Sequence, residues 1–165
     1  MHVPTDAELG VLARDVGQRL QQAALQLVSA ESCSGGWIAK AMTDVAGSSA
    51  FFDCGMVVYS YEAKQRLLGV RAHTLEQFGA VSRDTVLEMV SGALINSGAG
   101  MAVAVTGIAG PGGGTGDKPV GTVWFAWCVN GETHSEMQHF PGDRATIRAA
   151  TVRYALQRLL AFLLG

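Results

Sequence analysis

Residues Met101–Gly107 read MAVAVTG, a continuous apolar run without polar alternation. Successive side chains of a strand point to opposite faces of its sheet, so a half-buried strand alternates. A strand apolar on both faces has to be covered on both, which points to a sheet enclosed between helical layers. The flanking chain supplies such layers. Thr5 with Glu8 predicts a capping box, opening a helix with Leu9, Leu12, Val16 and Leu20 along one face. The segment ALQLVSA (24–30) predicts a buried strand, and a second helix follows from 35 to about 45 with Trp37, Ile38 and Met42 inward. GMVVYS (55–60) predicts another strand, and EAKQRLLG a short helix closed by Gly69. Ser82 predicts the cap of a helix running to about Asn96. After the 101–107 strand come a glycine-dense loop and two strands, VGTVWFAWCV and THSEMQHF, joined at Asn130-Gly131, a hairpin signal. A long helix from about Asp143 closes the chain. The expected fold class is α/β: a three-layer α/β/α sandwich around a mixed, largely parallel sheet.

Composition narrows the function classes. At 165 residues the chain is long enough for one core, and a single domain over 1–165 is expected. Hydrophobic residues make up 48% and charged ones 16%, so part of the apolar surface is expected to meet a second subunit, as a homodimer or higher homo-oligomer. A net charge of −2 gives no basic footprint for nucleic acid. No apolar run approaches the roughly 18–20 residues of a membrane helix, and MHVPTDAELG lacks the regions of a signal peptide. Cys33, Cys54 and Cys128 show no CxxC spacing and suit reduced thiols in the cytoplasm. His2, His73, His134 and His139 form no metal-ligand pattern, and neither a metal nor a cofactor is expected.

Ligands of such sheets bind beyond the carboxyl ends of the strands. That rule gathers ESCSGG, YSYEAK and TGIAGPGGG at one rim. Ser32 and Ser34 stand where a helix begins: one of them simply caps it, or one is a nucleophile and the other the cap. In the nucleophile reading, N–H groups near Gly35 and Gly36 would hold an oxyanion, since glycine lets backbone approach a ligand closely. The histidines are poorly placed as its base. Lys64 is better placed, though only when neutral, and a neutral lysine requires desolvation or nearby positive charge; otherwise it is a solvated helix lysine. Tyr59 could relay a proton or orient the amine. The loop 107–119 fits neither a Walker A sequence nor GxGxxG. It is either plainly flexible or a backbone cradle for an anionic or carbonyl-bearing ligand, with Thr106 adding a hydroxyl. Arg144 is a phosphate anchor or a surface arginine. Cys33 reads as a second candidate nucleophile, its thiol acidified by a helix start. Trp37, Trp124 and Trp127 pack in the core or at a subunit contact.

Taken together, AESCSGGWIAKAMTDVAGSSAFF, VVYSYEAKQRLLGV, GAVS and TGIAGPGGGTGDKPVGTVWFA resemble the C-terminal domain of the competence/damage-inducible CinA family, and more narrowly its stand-alone nicotinamide-nucleotide amidohydrolases. The similarity runs from about Asp6 to the last helix. It implies a metal-free serine mechanism that hydrolyses the carboxamide of nicotinamide mononucleotide to nicotinic acid mononucleotide and ammonia, in a usually oligomeric α/β/α protein. Ser32, Lys64 and Tyr59 match the family's catalytic motifs, whereas Glu31, Ser34, Gly35, Gly36, Thr106, Gly107, Gly110, Gly113, Gly114 and Arg144 are the expected substrate-binding positions. Two departures stand out: Ser34 where threonine is usual, and Tyr61 where asparagine is usual. Longer CinA proteins carry a further N-terminal domain linked with pyrophosphatase activity, which is not carried over. The other reading is a catalytically silent nucleotide-binding module of the same family.

Overall fold

A computed structural model describes residues 2–165. Thr5 caps helix α1 (Asp6–Gln22) with the capping box expected for it. Strand β1 (Leu27–Glu31) follows, then α2 (Trp37–Thr43), a 3-10 turn at Ser48–Ala50, and β2 (Phe52–Val57). Helices α3 (Tyr61–Leu68), α4 (Ala72–Phe78) and α5 (Arg83–Ile95) lead to β3 (Met101–Gly107), and the chain ends with β4 (Thr122–Val129), β5 (Glu132–His139) and α6 (Arg144–Leu164).

The five strands form one sheet in the order β2-β1-β3-β4-β5. β1 lies parallel to both β2 and β3, whereas β3–β4 and β4–β5 are antiparallel, so the sheet is mixed. Alternation along β3 sorts the two layers: Met101, Val103 and Val105 join a cluster with α1, α2 and α6, while Ala102 and Ala104 join α3, α4 and α5 on the other face. The second face is built thin. Ala30, Ala102, Ala104 and Ala126 line it, and Gly92 of α5 lies so close to the Leu68 carbonyl of α3 that no Cβ would fit. The thick face holds the aromatics. Phe125 and Trp127 stack with centroids 5.5 Å apart, and the Trp127 indole donates to the Ala155 carbonyl of α6 at 3.1 Å. Trp127 is therefore a core residue, while Trp37 and Trp124 are only partly buried.

Several elements differ from the sequence reading, β1 among them, which runs Leu27–Glu31 rather than 24–30. β2 begins at Phe52 and ends at Val57, earlier than the apolar letters suggested, because at the sheet edge only alternate residues are covered. α4 was not expected: it is seven residues long, and its N-cap Arg71 makes no side-chain cap. α2 starts at Trp37 rather than 35 because Gly35 and Gly36 both take positive φ, 62° and 92°, which ends any helix running through them. The hairpin at Asn130-Gly131 has φ of 52° and 80°, the geometry its sequence called for. Among the described residues no helix is long and apolar enough to cross a membrane.

Candidate active site

The end of β1 is locked to the start of α2 by a buried acid. The Glu31 carboxylate accepts hydrogen bonds from Ser29 Oγ (3.0 Å) and Ser34 Oγ (2.6 Å), and from the N–H groups of Ile38 (3.0 Å) and Ala39 (2.8 Å). Those two amides are among the donors left orphaned at a helix start. Glu31 thus does the capping that a serine was expected to do, and places its charge at the positive end of α2. Neither Glu31 nor Ser34 lines the cavity described below; both are fully buried and spend their polar atoms on each other and on the turn. The tight turn between them leaves Ser32 facing out of the strand end. Its N–H extends the sheet to Val105 O (3.1 Å), and Gly35 N–H closes onto Ser32 O (3.1 Å).

Lys64 arrives from the other side. Ser60 caps α3 by accepting from Ala63 N–H, which sets Lys64 one turn into the helix. Its side chain folds back under the end of β2 and is only 1% exposed. Nζ lies 2.9 Å from Ser32 Oγ, 3.0 Å from Val58 O and 3.2 Å from Tyr59 O. Among the described residues no carboxylate pairs with it. Burial without a counter-charge disfavours the ammonium, and the Lys64 pKa is lowered to about 8. The neutral amine has two hydrogens and one lone pair. With two carbonyls taking the hydrogens, the lone pair is left for the Ser32 hydroxyl.

A cavity of about 200 Å³ opens over this pair, lined also by Tyr59, Thr106, Gly107 and Arg144, and by Ala80 and Val81 from the α4–α5 connection. Among the described residues no histidine lines it. Thr106 turns its hydroxyl to Ala80 O (2.9 Å), bracing that wall. Tyr59 enters twice: its carbonyl receives Lys64, while its phenol accepts from Arg144 Nη2 at 3.0 Å rather than meeting the amine. Arg144 also donates from Nη1 to Gly110 O (2.9 Å), tying the glycine loop to the first turn of α6. Of the loop glycines, Gly107 lines the cavity and Gly110 meets Arg144, whereas Gly113 and Gly114 are exposed and lie outside its lining. Gly35 and Gly36 shape the turn and do not line it either.

Cys33 corrects the thiol reading. It borders the cavity but is 4% exposed, and burial pushes its pKa up to about 12, against the acidification expected from a helix start. Arg148 is the residue that sequence reading missed. It donates from Nε to Cys33 O and from Nη2 to Ser34 O, both at 3.1 Å, and its guanidinium lies 5.6 Å from the Trp37 ring centre. The signal available was its spacing, one helical turn beyond Arg144 and so on the same side of α6.

The family model of the CinA C-terminal domain matches residues 10–163. The nicotinamide-nucleotide amidohydrolase PncC of Escherichia coli is 51% identical over 156 residues, covering 94% of each chain. The protein of the same description from Pseudomonas putida is 50% identical over 149 residues, covering 90% of this chain and 93% of its own. The crystal structure of the competence/damage inducible protein CihA from Agrobacterium tumefaciens superposes with a TM-score of 0.91 at 48% identity over 98% of both chains. The chain belongs to the CinA C-terminal domain family.

Proposed function

We propose that the chain hydrolyses the carboxamide of nicotinamide mononucleotide, yielding nicotinic acid mononucleotide and ammonia, with Ser32 as nucleophile and Lys64 as general base. The observation that carries this reading is the 2.9 Å contact between Lys64 Nζ and Ser32 Oγ, with no acid partner for the lysine among the described residues. The PncC relatives, named for this activity, support the substrate.

Neutral Lys64 takes the Ser32 proton as Oγ bonds to the carboxamide carbon and the carbonyl pair moves onto oxygen. Gly35 N–H already closes onto Ser32 O, which favours cavity-lining backbone at Cys33 and Gly107 as the oxyanion donors. When the tetrahedral intermediate collapses, the C–N bond breaks and the leaving nitrogen takes the proton from Lys64, departing as ammonia. Water then attacks the ester, giving a proton to Lys64, which returns it to Ser32 as the acid leaves. The mononucleotide's phosphate falls to Arg144 and the glycine loop, and the protein acts as a cytoplasmic homo-oligomer. Ammonia release from purified protein and nicotinamide mononucleotide, without added metal, tests the reading. No release while the nucleotide still raises the Tm would instead mark a silent binding module.

A further inference from the structure

Lys64 and Arg144 line the cavity, while Arg148 is held at the turn after β1 and Lys118 at the end of α4. Among the described residues, Lys64, Arg144, Arg148 and Lys118 form no ion pair. Each of the four is held by neutral oxygens instead. Three of them have roles above; Lys118 does not.

Lys118 sits at the far end of the glycine loop. Thr115 N–H donates to Lys118 O (2.8 Å) and Lys118 N–H to Thr115 Oγ1 (3.1 Å), closing residues 115–118 into a turn. From there its side chain crosses to a single acceptor, the Phe78 carbonyl at the end of α4, 2.6 Å away. That carbonyl is two residues before Ala80, which lines the cavity. The position a Cβ would take on Gly79 is 3.5 Å from Lys118 Nζ and 4.0 Å from Tyr61 Oη. Tyr61 Oη accepts the N–H of Ala80 at 3.3 Å, and Ala80 lines the cavity. Arg144 holds Gly110 near the loop's beginning and also meets Tyr59, so Arg144 and Lys118 bracket the glycine loop.

We propose that Lys118 is a specificity-determining residue whose ammonium binds the substrate's phosphomonoester together with Arg144, so that the site prefers a nucleotide to its nucleoside. This rests on the amide-hydrolase reading. A single carbonyl is a weaker partner for an ammonium than a phosphate dianion, and a lysine stem is flexible enough to change partners. Tyr61 holds the α4–α5 connection through the Ala80 N–H.

The test compares nicotinamide mononucleotide with nicotinamide riboside, which lacks the phosphate, in wild-type, Lys118→Met and Lys118→Arg full-length protein. Lys118→Met is expected to cut the ratio of the two kcat/KM values by about tenfold or more, through the nucleotide's KM, with Lys118→Arg restoring most of it. An unchanged ratio, including equal losses on both substrates, would overturn the proposal and make Lys118 a latch for the loop. If wild type hydrolyses neither compound, the amide-hydrolase reading is what has failed, and Tm shifts decide Lys118 separately. A nucleotide-induced shift larger in wild type than in Lys118→Met then supports phosphate recognition, and equal shifts overturn it.

Discussion

Lys64 Nζ lies 2.9 Å from Ser32 Oγ although 32 residues separate them in the chain. The contact exists because β1 and β2 are parallel neighbours, so the turns after both strands emerge at the same end of the sheet. Val58 N–H donating to Glu31 O (2.9 Å) carries that pairing one residue past β2.

Removing either partner should abolish turnover. Ser32→Ala is expected to lower ammonia release by at least about a thousandfold while the nucleotide still raises the Tm. Turnover at the wild-type rate would exclude the serine as nucleophile.

The pH profile should report the lysine. With a pKa lowered to about 8, the base is mostly protonated at neutral pH, so kcat/KM should rise with pH through about 8 and level off above it. Lys64→Arg, cationic throughout, should show no activity on either side of that limb.

The same group should leave a mark on stability. Between about 8 and the ordinary lysine value of 10.5, the unfolded chain holds a proton that the folded chain lacks, so unfolding free energy should rise with pH across that window. Below it the burden is constant, of the order of 3 kcal/mol. Denaturant titrations from pH 7 to 10.5 should show this rise in wild type relative to Lys64→Met; parallel curves would refute it.

Arg148 acts on the nucleophile's turn and is not among the cavity-lining residues. Planar trans peptides point N–H opposite to C=O, so fixing the Cys33 and Ser34 carbonyls also orients the amides that follow. Arg148→Met should lower kcat by about tenfold to a hundredfold, with KM changing by less than about threefold. A change confined to KM would argue against this role.

Cys33 should prove dispensable as a nucleophile. Its thiol, buried and with a pKa near 12, should resist iodoacetamide at pH 7 in the folded protein. Cys33→Ala should retain activity within about tenfold, whereas a thiol mechanism would lose it entirely.

Local chemistry was readable from the letters wherever neighbouring residues settle it. Thr5 and Ser82 accept the amides that the caps read for them require, and the apolar β3 run is buried between two helical layers. Ser32 and Lys64 were named from their strand-end positions. What escaped was long-range: Glu31, expected among the substrate-binding positions, caps a helix seven and eight positions on, and Arg148 reaches back more than a hundred residues to the Ser32 turn.

The order of residues by itself determined the layered α/β fold, the caps and the rim where small reactive groups collect, because periodicity and turn chemistry act between near neighbours. Only the tertiary structure decided that Cys33 is a protonated thiol, that Tyr59 turns to Arg144, and that Lys64 is buried without an acid. Those states depend on which distant groups exclude water and supply charge, and no window of adjacent letters contains that information.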